Sequence, residues 1–429
     1  MEKDQTPQEL PPAPPAGIGA KLGLKLRAAG RDWHRIVLRT AVGLTLMVVG
    51  VGTVPHQWCS RFAGGGGSSR WWEGDIQSQT AIARGVEQWV TADLGREDFT
   101  TGSSKFDGEW LFGTYMMAVM GLGQTALEHP ELKESHLPLI DHCIERILSE
   151  EVRAFDREAW GDDPIESLDG ESHHAAYLGY LNLALSLRRL LGPESPSAEI
   201  NDRITAALAR RIGSSKIMLM ETYRSEVYPV DNCAVVGSIG LYDRATGADH
   251  SELIRRWVGN CRKRCVDPET GLLYQCVSAW TGEAIDEPRG SGTTLGLYFL
   301  SFADRDFSRE LFGAVQRSLA GSLFGFGAVR EYPRGFSGTG DIDSGPIVFG
   351  YGISPTGFSL AGSRMYGDRE LFGRAYASAV LWGAPLERKG RFEFVTGGPI
   401  GNALLFAMLT AQPELPEPPA ATAVEEAER

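Results

Sequence analysis

The amino-acid sequence predicts an all-α fold, an α/α toroid of six helical hairpins preceded by a single N-terminal transmembrane helix. Three observations predict it. Two kinds of helical segment alternate along the chain, a pair of them recurs roughly every 50–60 residues, and one long apolar run precedes them all. The composition, with 42% hydrophobic residues, suffices for a large core, and the net charge of −13 argues against nucleic acid as a partner.

The apolar run covers residues 34–56, and no charged residue interrupts it from Thr40 to Val54. The run follows a basic tail, residues 1–33, which is predicted to be disordered and cytoplasmic. By the positive-inside rule we expect a single-pass protein of the cell inner membrane with a periplasmic domain. A cleaved signal peptide and a buried core helix are the alternatives, but no A-x-A cleavage site follows the run.

The remaining boundaries follow from composition. Residues 57–75 contain FAGGGGSS and are predicted to be a flexible linker. Residues 76–412 are predicted to form the toroid, and residues 413–429 a disordered acidic tail.

The first kind of helical segment is amphipathic, with charges on one face, and is expected in the outer layer. These segments are residues 79–94, 137–152, 198–212, 251–265, 306–319 and 368–381. The second kind carries almost no charge and must be buried on all sides, which predicts an inner ring. These segments are residues 111–127, 175–187, 233–242, 292–301, 354–365 and 399–409. An open α-solenoid is the alternative, but its inner helices usually carry a polar concave face.

A polar loop precedes each uncharged segment, and in a closed ring these loops gather at one end together with the helix N-termini. The loops are residues 105–110, 162–174, 225–232, 286–292, 330–346 and 391–399. Carboxylates, arginines and aromatic side chains are thus expected to converge on one pocket.

The densest acidic set lies in the fifth of these loops. Glu331, Asp341 and Asp343 are candidate catalytic residues, because close carboxylates in a pocket can divide the roles of acid and base. Arg334 and Arg289 are candidates to orient substrate or to neutralise an oxyanion. The alternative is that an aspartate caps a turn and Arg334 neutralises the cluster.

Further candidates come from the other loops. Asp231 and Asn232 stand where an N-cap is expected, so either one has capping as its alternative role. Tyr228 precedes a proline and has an extended backbone that could direct its ring into the pocket. His173 and His174 share a loop with Asp163, Glu166, Asp169 and Glu171, but a metal site would need a third spaced ligand, so neither metal nor cofactor is expected.

The candidate substrate-binding set also contains side chains spread over three other segments. Asp107 and Glu109 lie in the first loop, Tyr180 in the second uncharged segment, and Phe394 among the aromatic residues of the last loop. Rim packing is the alternative for the aromatic residue. Six cysteines are scattered along the chain, and one disulfide among them is expected in an oxidising compartment.

Several motifs in consistent order resemble the linalool dehydratase/isomerase-like family. They are WGDDPIE, GYLNL, YPVDN, IGLYDRATGADHSELIRRWV with VDPETGLLY, SGTGDIDSG and YGD, between about Asp107 and Thr410. The resemblance implies a six-hairpin toroid outside the cytoplasm and cofactor-free acid/base chemistry on a small alkenol. The fold relatives of that family include many glycosidases and polysaccharide lyases.

The chain departs from the family pattern at its cysteines and histidine. Tyr228 and Gly237 stand where the family has cysteines, and Tyr180 stands where it has a histidine. The cysteine- and histidine-dependent dehydration therefore does not transfer. Asp231, Asn232 and the loop of Asp341 and Asp343 do transfer, as scaffold or site residues.

Three functions remain open on the sequence. The first is a lyase- or isomerase-type enzyme in which Tyr228 or Tyr180 assists a carboxylate. The second is a glycoside hydrolase or polysaccharide lyase acting on an envelope glycan, which requires paired carboxylates. The third is a non-catalytic carbohydrate-binding toroid. The expected partners are accordingly a small alcohol or a glycan, and the membrane; oligomerisation is left open.

Overall fold

The computed structural model describes residues 67–323 and 325–414. The predicted basic tail, the predicted anchor at residues 34–56 and most of the predicted acidic tail lie outside the described residues. Among the residues described, no helix combines the length and the apolar character needed to span a bilayer.

Each of the twelve predicted helical segments overlaps an α-helix of the described chain, and the helices Gly67–Trp72 and Glu150–Trp160 are additional. In chain order the helices are α1 (Gly67–Trp72), α2 (Ile76–Val90), α3 (Ser104–Glu128), α4 (Lys133–Leu148), α5 (Glu150–Trp160), α6 (Ala175–Leu191), α7 (Ala198–Ser214), α8 (Pro229–Thr246), α9 (Ser251–Arg264), α10 (Gly290–Leu300), α11 (Arg305–Ser318), α12 (Ile353–Met365), α13 (Arg369–Gly383) and α14 (Gly398–Thr410). Short 3-10 turns at Arg96–Asp98, Pro130–Leu132 and Val395–Gly397 join some of them.

The six uncharged helices form a closed inner ring. Helix α3 packs on α6, α6 on α8, α8 on α10, α10 on α12, α12 on α14, and α14 again on α3. Helices α2, α4, α5, α7, α9, α11 and α13 pack outside this ring. The closure excludes the open solenoid and confirms the predicted α/α toroid.

Small residues allow the inner helices to approach each other closely. A Cβ atom at Gly237 of α8 would lie 2.2 Å from the carbonyl oxygen of Phe299 in α10. A Cβ atom at Gly179 of α6 would lie 3.0 Å from the backbone nitrogen of Val235 in α8. These distances are shorter than van der Waals contact, so only glycine fits where the ring helices touch.

Four outer helices, α2, α5, α11 and α13, start at side-chain caps. Asp75, Ser149, Asp304 and Asp368 each occupy an N-cap, and each side chain accepts a hydrogen bond from a backbone N–H of the first turn. Such a bond satisfies one of the N–H groups that a helix start leaves unpaired, which stabilises the helix by about 1 kcal/mol.

Inner helices of the described chain begin with a different device, which we call the latch. A polar side chain in the first turns donates to the carbonyl four residues earlier and accepts from a backbone N–H of the preceding extended segment. The latch residues, with carbonyl and N–H partners, are Asn232 (Tyr228, Met220), Thr293 (Arg289, Leu273), Thr356 (Gly352, Val329) and Asn402 (Gly398, Phe394). The latches tie the polar loops to the ring.

One expectation needs correction, because the fold is not purely α-helical. The loops pair into small antiparallel sheets: β1 (Glu226–Val227) with β2 (Val277–Ser278), β3 (Ala320–Leu323) with β4 (Phe326–Arg330), and β5 (Ile347–Val348) with β6 (Tyr351–Gly352), which also pairs with β4. The last sheet joins β7 (Pro385–Arg388) to β8 (Arg391–Phe394). Strands this short carry little periodicity, which is why the sequence reads as loop there.

Two further boundaries differ from the prediction. Part of the predicted linker is helix α1, and its Trp71 is fully buried with the indole N–H donating to the hydroxyl of Tyr376 at 2.8 Å. The predicted loop at residues 105–110 belongs to helix α3, which begins at Ser104. The folded domain therefore begins by Gly67 rather than at residue 76.

The expected disulfide is absent among the described residues. Cys143, Cys233, Cys261, Cys265 and Cys276 are free and buried. In this structure they act as small apolar side chains of the core.

The ring is closed at the end where the inner helices finish. Gln124 of α3 accepts a 2.9 Å hydrogen bond from the hydroxyl of Tyr298 in α10, on the opposite side of the ring. The amide of Gln124 donates to the carbonyl of Ala407 and to the hydroxyl of Thr410 in α14. These buried bonds cross the ring axis at this end; the opposite end, where the inner helices begin, we call the ring mouth.

Candidate active site

Asp231 lies at the ring mouth, in the first turn of α8. Its Oδ1 accepts a 2.7 Å hydrogen bond from the hydroxyl of Tyr180 in α6, and its Oδ2 accepts one of 2.7 Å from the hydroxyl of Thr222. Burial raises the pKa of this carboxyl, and the two hydrogen bonds oppose the rise. Asp231 is therefore held in place by two hydroxyl groups, without a cation.

Glu109 lies in α3 and is half-buried. Its Oε2 accepts a 2.9 Å hydrogen bond from the hydroxyl of Tyr223, whose ring stacks 3.7 Å beneath the ammonium of Lys105. Burial, followed by the charges of Asp343 and Asp231, raises the pKa of Glu109 to about 8; the Tyr223 bond and Lys105 oppose this rise. Glu109 therefore holds a proton at pH 7.

Asp343 has a raised pKa as well. Its side chain is exposed by area, yet protein atoms crowd around the carboxyl, and burial raises its pKa to about 7. The charges of Asp341 and Asp231 add to the rise, and Arg289 opposes it. The Asp343 side chain is thus exposed to water on one side, while protein atoms surround its carboxyl group on the other sides, as in the wall of a concave site.

Glu109, Asp231 and Asp343 form what we call the carboxyl cluster. Each of the other two charges raises the pKa of Glu109, and Asp231 does the same for Asp343. Like charges in one site cannot all ionise near neutral pH, so the cluster shares protons. Paired carboxyl groups with displaced pKa values are the arrangement used for acid/base catalysis.

An ion-pair network of Arg289, Glu331 and Asp341 lies next to the carboxyl cluster. Arg289, the N-cap of α10, donates at 2.7 Å to Oε1 of Glu331 and at 3.0 Å to Oδ1 of Asp341. Burial opposes ionisation of Asp341, but the hydrogen bonds from Arg289 and Ser344 outweigh it and lower the pKa of Asp341. Asp341 is thus an anion committed to Arg289.

Glu331 is fully buried and has a positioning role in this network. Its Oε1 accepts from Arg289 and, at 2.7 Å, from the hydroxyl of Ser291, while Oε2 has no hydrogen-bond partner among the described residues. No part of the side chain is open to solvent, so it cannot touch a substrate in this structure. Its predicted role as a proton carrier is therefore replaced by orientation of Arg289.

Two other predicted residues serve the fold. Asp107 accepts hydrogen bonds from the backbone N–H and the hydroxyl of Thr101, the residue that leads into α3. Asn232 is buried and latches the backbone of Met220 and Tyr228. The expected capping role is wrong for both neighbours, because the N-cap of α8 is Tyr228 and no side chain caps it; Asn232 serves as a latch, whereas Asp231 belongs to the carboxyl cluster.

The remaining predicted residues lie apart from the cluster. His173 accepts from the backbone N–H of Glu221, and His174 is fully buried between α5 and α6. Phe394 is fully buried against Phe392, and Arg334 is exposed with no ion pair to any described residue. The hydroxyl of Tyr228 donates to Glu226 at 3.3 Å, at the edge of the mouth.

Three contact residues of the cluster were absent from the predicted site: Thr222, Tyr223 and Lys105. A hydroxyl-bearing pair directly before an acidic loop, Thr222 and Tyr223, is a weak signal that could have marked them. Their importance comes from contacts that no local pattern encodes.

Comparison with known proteins finds similarity only to solved structures, at low sequence identity. No model of a protein family matches the chain, and no curated protein matches it. Among solved structures, it is similar to a family 105 glycoside hydrolase from C. acetobutylicum, with 13% identity over 79% of this chain and 98% of that one, at a TM-score of 0.44. It is also similar to a family 76 α-mannanase from Bacteroides thetaiotaomicron, with 9% identity over 71% of this chain and 84% of that one, at a TM-score of 0.41. Because both scores lie below 0.5, the fold assignment rests on the closed ring of helices.

Proposed function

We propose that this protein is a glycoside hydrolase-like enzyme that uses the carboxyl cluster for acid/base catalysis. One observation carries the proposal: Glu109, with a pKa of about 8, lies in the carboxyl cluster with Asp343, whose pKa is about 7 and whose charge raises the pKa of Glu109. A neutral acid beside a carboxyl that ionises near pH 7 is the pair that glycosidic cleavage requires.

In the proposed reaction, Glu109 donates its proton to the glycosidic oxygen as the bond to the anomeric carbon breaks. A water molecule attacks that carbon, and the carboxylate of Asp343 accepts the proton that the water releases. The products are a reducing sugar and an alcohol, and exchange with solvent returns the proton to Glu109. Only water is consumed.

The other residues of the mouth bind and orient. The hydroxyl hydrogen of Tyr180 is committed to Asp231, which leaves the tyrosine oxygen able to accept from a sugar hydroxyl. Asp341 and Arg289 neutralise each other, so the wall beside Asp343 is polar but not strongly charged. This combination suits a hydroxyl-rich ligand.

Exposed aromatic side chains on two loop hairpins support a glycan ligand. Trp280 follows β2 and Phe349 lies between β5 and β6, and each is 86% exposed. These hairpins belong to the segments that lead into α10 and α12, near Arg289 and Asp343 respectively. Flat apolar faces of this kind stack on sugar rings.

The lyase or isomerase function implied by the linalool dehydratase/isomerase resemblance is the second candidate. It would use the same proton donor and acceptor. A small alkenol needs a dry and mostly apolar chamber, whereas the carboxyl cluster is polar and its Asp343 is exposed to water. The hydrolytic function is therefore preferred.

The test uses the full-length protein in detergent with a panel of glycans and small alkenols. We expect new reducing ends from at least one glycan and a loss of about 10²–10⁴-fold in the Glu109→Gln and Asp343→Asn variants. Asp169→Asn, an exposed carboxylate in another loop, is the matched control and should retain full activity.

Each other outcome contradicts the proposal. Conversion of an alkenol without glycan cleavage would assign the lyase function. Glycan binding by wild type and both variants without turnover would assign a carbohydrate-binding toroid. Full activity in Glu109→Gln would remove the carboxyl cluster from catalysis.

We also propose that residues 34–56 anchor the protein in the inner membrane with the toroid on the periplasmic side, on the evidence of the apolar run and its basic flank. Full-length protein should remain with membranes in high salt and in carbonate, and should leave them in detergent. Release by salt alone would contradict the anchor.

A further inference from the structure

The imidazole of His174 lies between a carboxylate and a serine hydroxyl. Its Nδ1 is 2.5 Å from Oδ2 of Asp156, and its Nε2 is 3.1 Å from Oγ of Ser167. Asp156 belongs to α5, Ser167 to the loop after it, and His174 to the N-cap of α6. Three separate segments thus build one hydrogen-bonded chain from acid to imidazole to hydroxyl.

The partners of the imidazole define its tautomer. Asp156 is fully buried, and its second oxygen, Oδ1, has no hydrogen-bond partner among the described residues. Within the described chain, the Asp156 carboxylate therefore hydrogen-bonds to His174 alone, and the N–H at Nδ1 of His174 donates to Oδ2 of Asp156. In the neutral ring, Nε2 is then the acceptor that faces the hydroxyl of Ser167, and this arrangement lets a serine lose its proton as it attacks.

The surroundings hold the imidazole in place. The backbone of His174 has a φ of 51°, in the left-handed region that few side chains adopt. The ring of Trp160 lies 4.8 Å from the imidazole, and its indole N–H donates to the carbonyl of Thr222. A left-handed backbone retained at a buried and fully packed histidine is the kind of local strain that functional sites contain.

At the Ser167 end of this hydrogen-bonded series lies a cavity of about 470 Å³, which is within the size range of small-ligand sites. The half-buried Ser167 is part of its wall, and the other lining residues are Glu150, Arg153, Arg157, Gly161, Asp162, Asp163 and Glu166. Arg153 is paired with Asp163, whereas Arg157 is exposed and forms no ion pair with a described residue. The cavity therefore offers a nucleophile beside an available cation.

We propose that Ser167, His174 and Asp156 form a second site that hydrolyses small, polar carboxylic esters. Ser167 Oγ attacks the ester carbonyl carbon while His174 Nε2 takes its proton, and Arg157 balances the negative charge that develops on the carbonyl oxygen. The alcohol leaves with the proton from His174, and water then releases the acid from the acyl-serine. The carboxylate of Asp162, 3.7 Å from Nε2, stabilises the imidazolium formed in each step.

This site is separate from the carboxyl cluster. Trp160, Ala176 and Tyr223 pack together in a small apolar cluster of their own. Trp160 contacts His174 on one side of that cluster, and Tyr223 binds Glu109 on the other. The ester site therefore does not depend on the glycan function proposed for the ring mouth.

The test is covalent labelling of the full-length protein with a fluorophosphonate, followed by peptide mapping, together with hydrolysis of 4-nitrophenyl acetate. We expect labelling at Ser167, saturable ester hydrolysis, and loss of both in Ser167→Ala. Ser135→Ala is the control, because Ser135 is exposed on α4 and its hydroxyl donates to the carbonyl of Leu132, outside the ester site. Asp156→Asn should fold and slow labelling by about 10²-fold or more.

The proposal is overturned if wild type carries no label at Ser167, or if Ser167→Ala hydrolyses the ester as fast as wild type. Asp156→Asn supplies a readout that packing alone would not give, since it preserves shape and changes the tautomer. If the Asp156 variant does not fold, the comparison of Ser167→Ala with Ser135→Ala decides the question by itself.

Discussion

The hydroxyl of Tyr223 donates a 2.9 Å hydrogen bond to Oε2 of Glu109, across 114 residues of sequence. Because that bond makes Oε2 an acceptor, the proton of the neutral acid resides on Oε1. In the described chain no hydrogen bond occupies Oε1. The acid proton is therefore presented on the oxygen that the protein leaves free, and Tyr223 acts as a positioning residue for Glu109.

The pH dependence of glycan hydrolysis should be bell-shaped with its maximum between about pH 7 and 8. Asp343 must be ionised, so activity rises through its pKa of about 7; Glu109 must be protonated, so activity falls through its pKa of about 8. The two groups interact, so the limbs report the pair. The check is kcat/KM from pH 5 to 10. A flat alkaline limb would contradict the role of Glu109.

Replacing Tyr223 with phenylalanine should move the alkaline limb to higher pH. The Tyr223 hydrogen bond lowers the pKa of Glu109, so removing it raises that pKa further and keeps the acid protonated longer. Tyr242→Phe is the matched control, since its hydroxyl binds Asp202 on the exposed surface. An unchanged limb in Tyr223→Phe would separate Tyr223 from the acid.

The stability of the protein should decrease between about pH 4.5 and 8 in part because of Glu109. The pKa of this group is raised in the folded state, so its contribution is complete below its usual value of 4.5 and is lost as pH rises through about 8. Glu109→Gln should therefore be more stable than wild type at pH 8 and equally stable at pH 4. Urea unfolding at the two pH values measures this; equal gains at both would contradict it.

Removing Arg289 should destabilise the fold by about 3–5 kcal/mol, because Glu331 would stay fully buried without its ion-pair partner, and burial already raises the pKa of this carboxyl. The double variant Arg289→Met with Glu331→Gln should recover much of that loss. Denaturant unfolding at pH 7 measures both, with Arg334→Met as the control, which should change stability by less than about 0.5 kcal/mol. A loss below 1 kcal/mol in Arg289→Met would contradict the buried pair.

The latch at the start of α8 should be worth about 3 kcal/mol. Asn232→Ala leaves the backbone N–H and carbonyl of Met220 buried without partners. The matched control is Asn260→Ala, which removes a hydrogen bond to the carbonyl of Ile217 and one from Nε of Arg264 in a half-buried place and should cost about 1 kcal/mol. Equal losses of unfolding free energy in the two variants would show that the latch contributes no more than ordinary side-chain hydrogen bonds.

The opposite outcomes for Asp107 and Glu109 show where sequence reasoning stops. Both residues are in helix α3, two positions apart, and successive helical residues turn by about 100°. They therefore lie on nearly opposite faces, so Asp107 binds Thr101 while Glu109 joins the carboxyl cluster. The sequence predicts a loop at residues 105–110. A loop has no regular periodicity, so the directions of the Asp107 and Glu109 side chains could not be distinguished from sequence.

The sequence by itself determined the two-layer toroid and the end of it at which polar groups collect. Helix burial follows from composition, and uncharged segments such as residues 175–187 have no stable place except inside a closed ring. Only the tertiary structure decided which polar groups meet: Tyr223 with Glu109, Tyr180 with Asp231, and Asp156 with His174 and Ser167. The physical reason is range, since periodicity reports which face of an element is buried, whereas a hydrogen bond needs two atoms from distant segments within about 3 Å, which only packing can arrange.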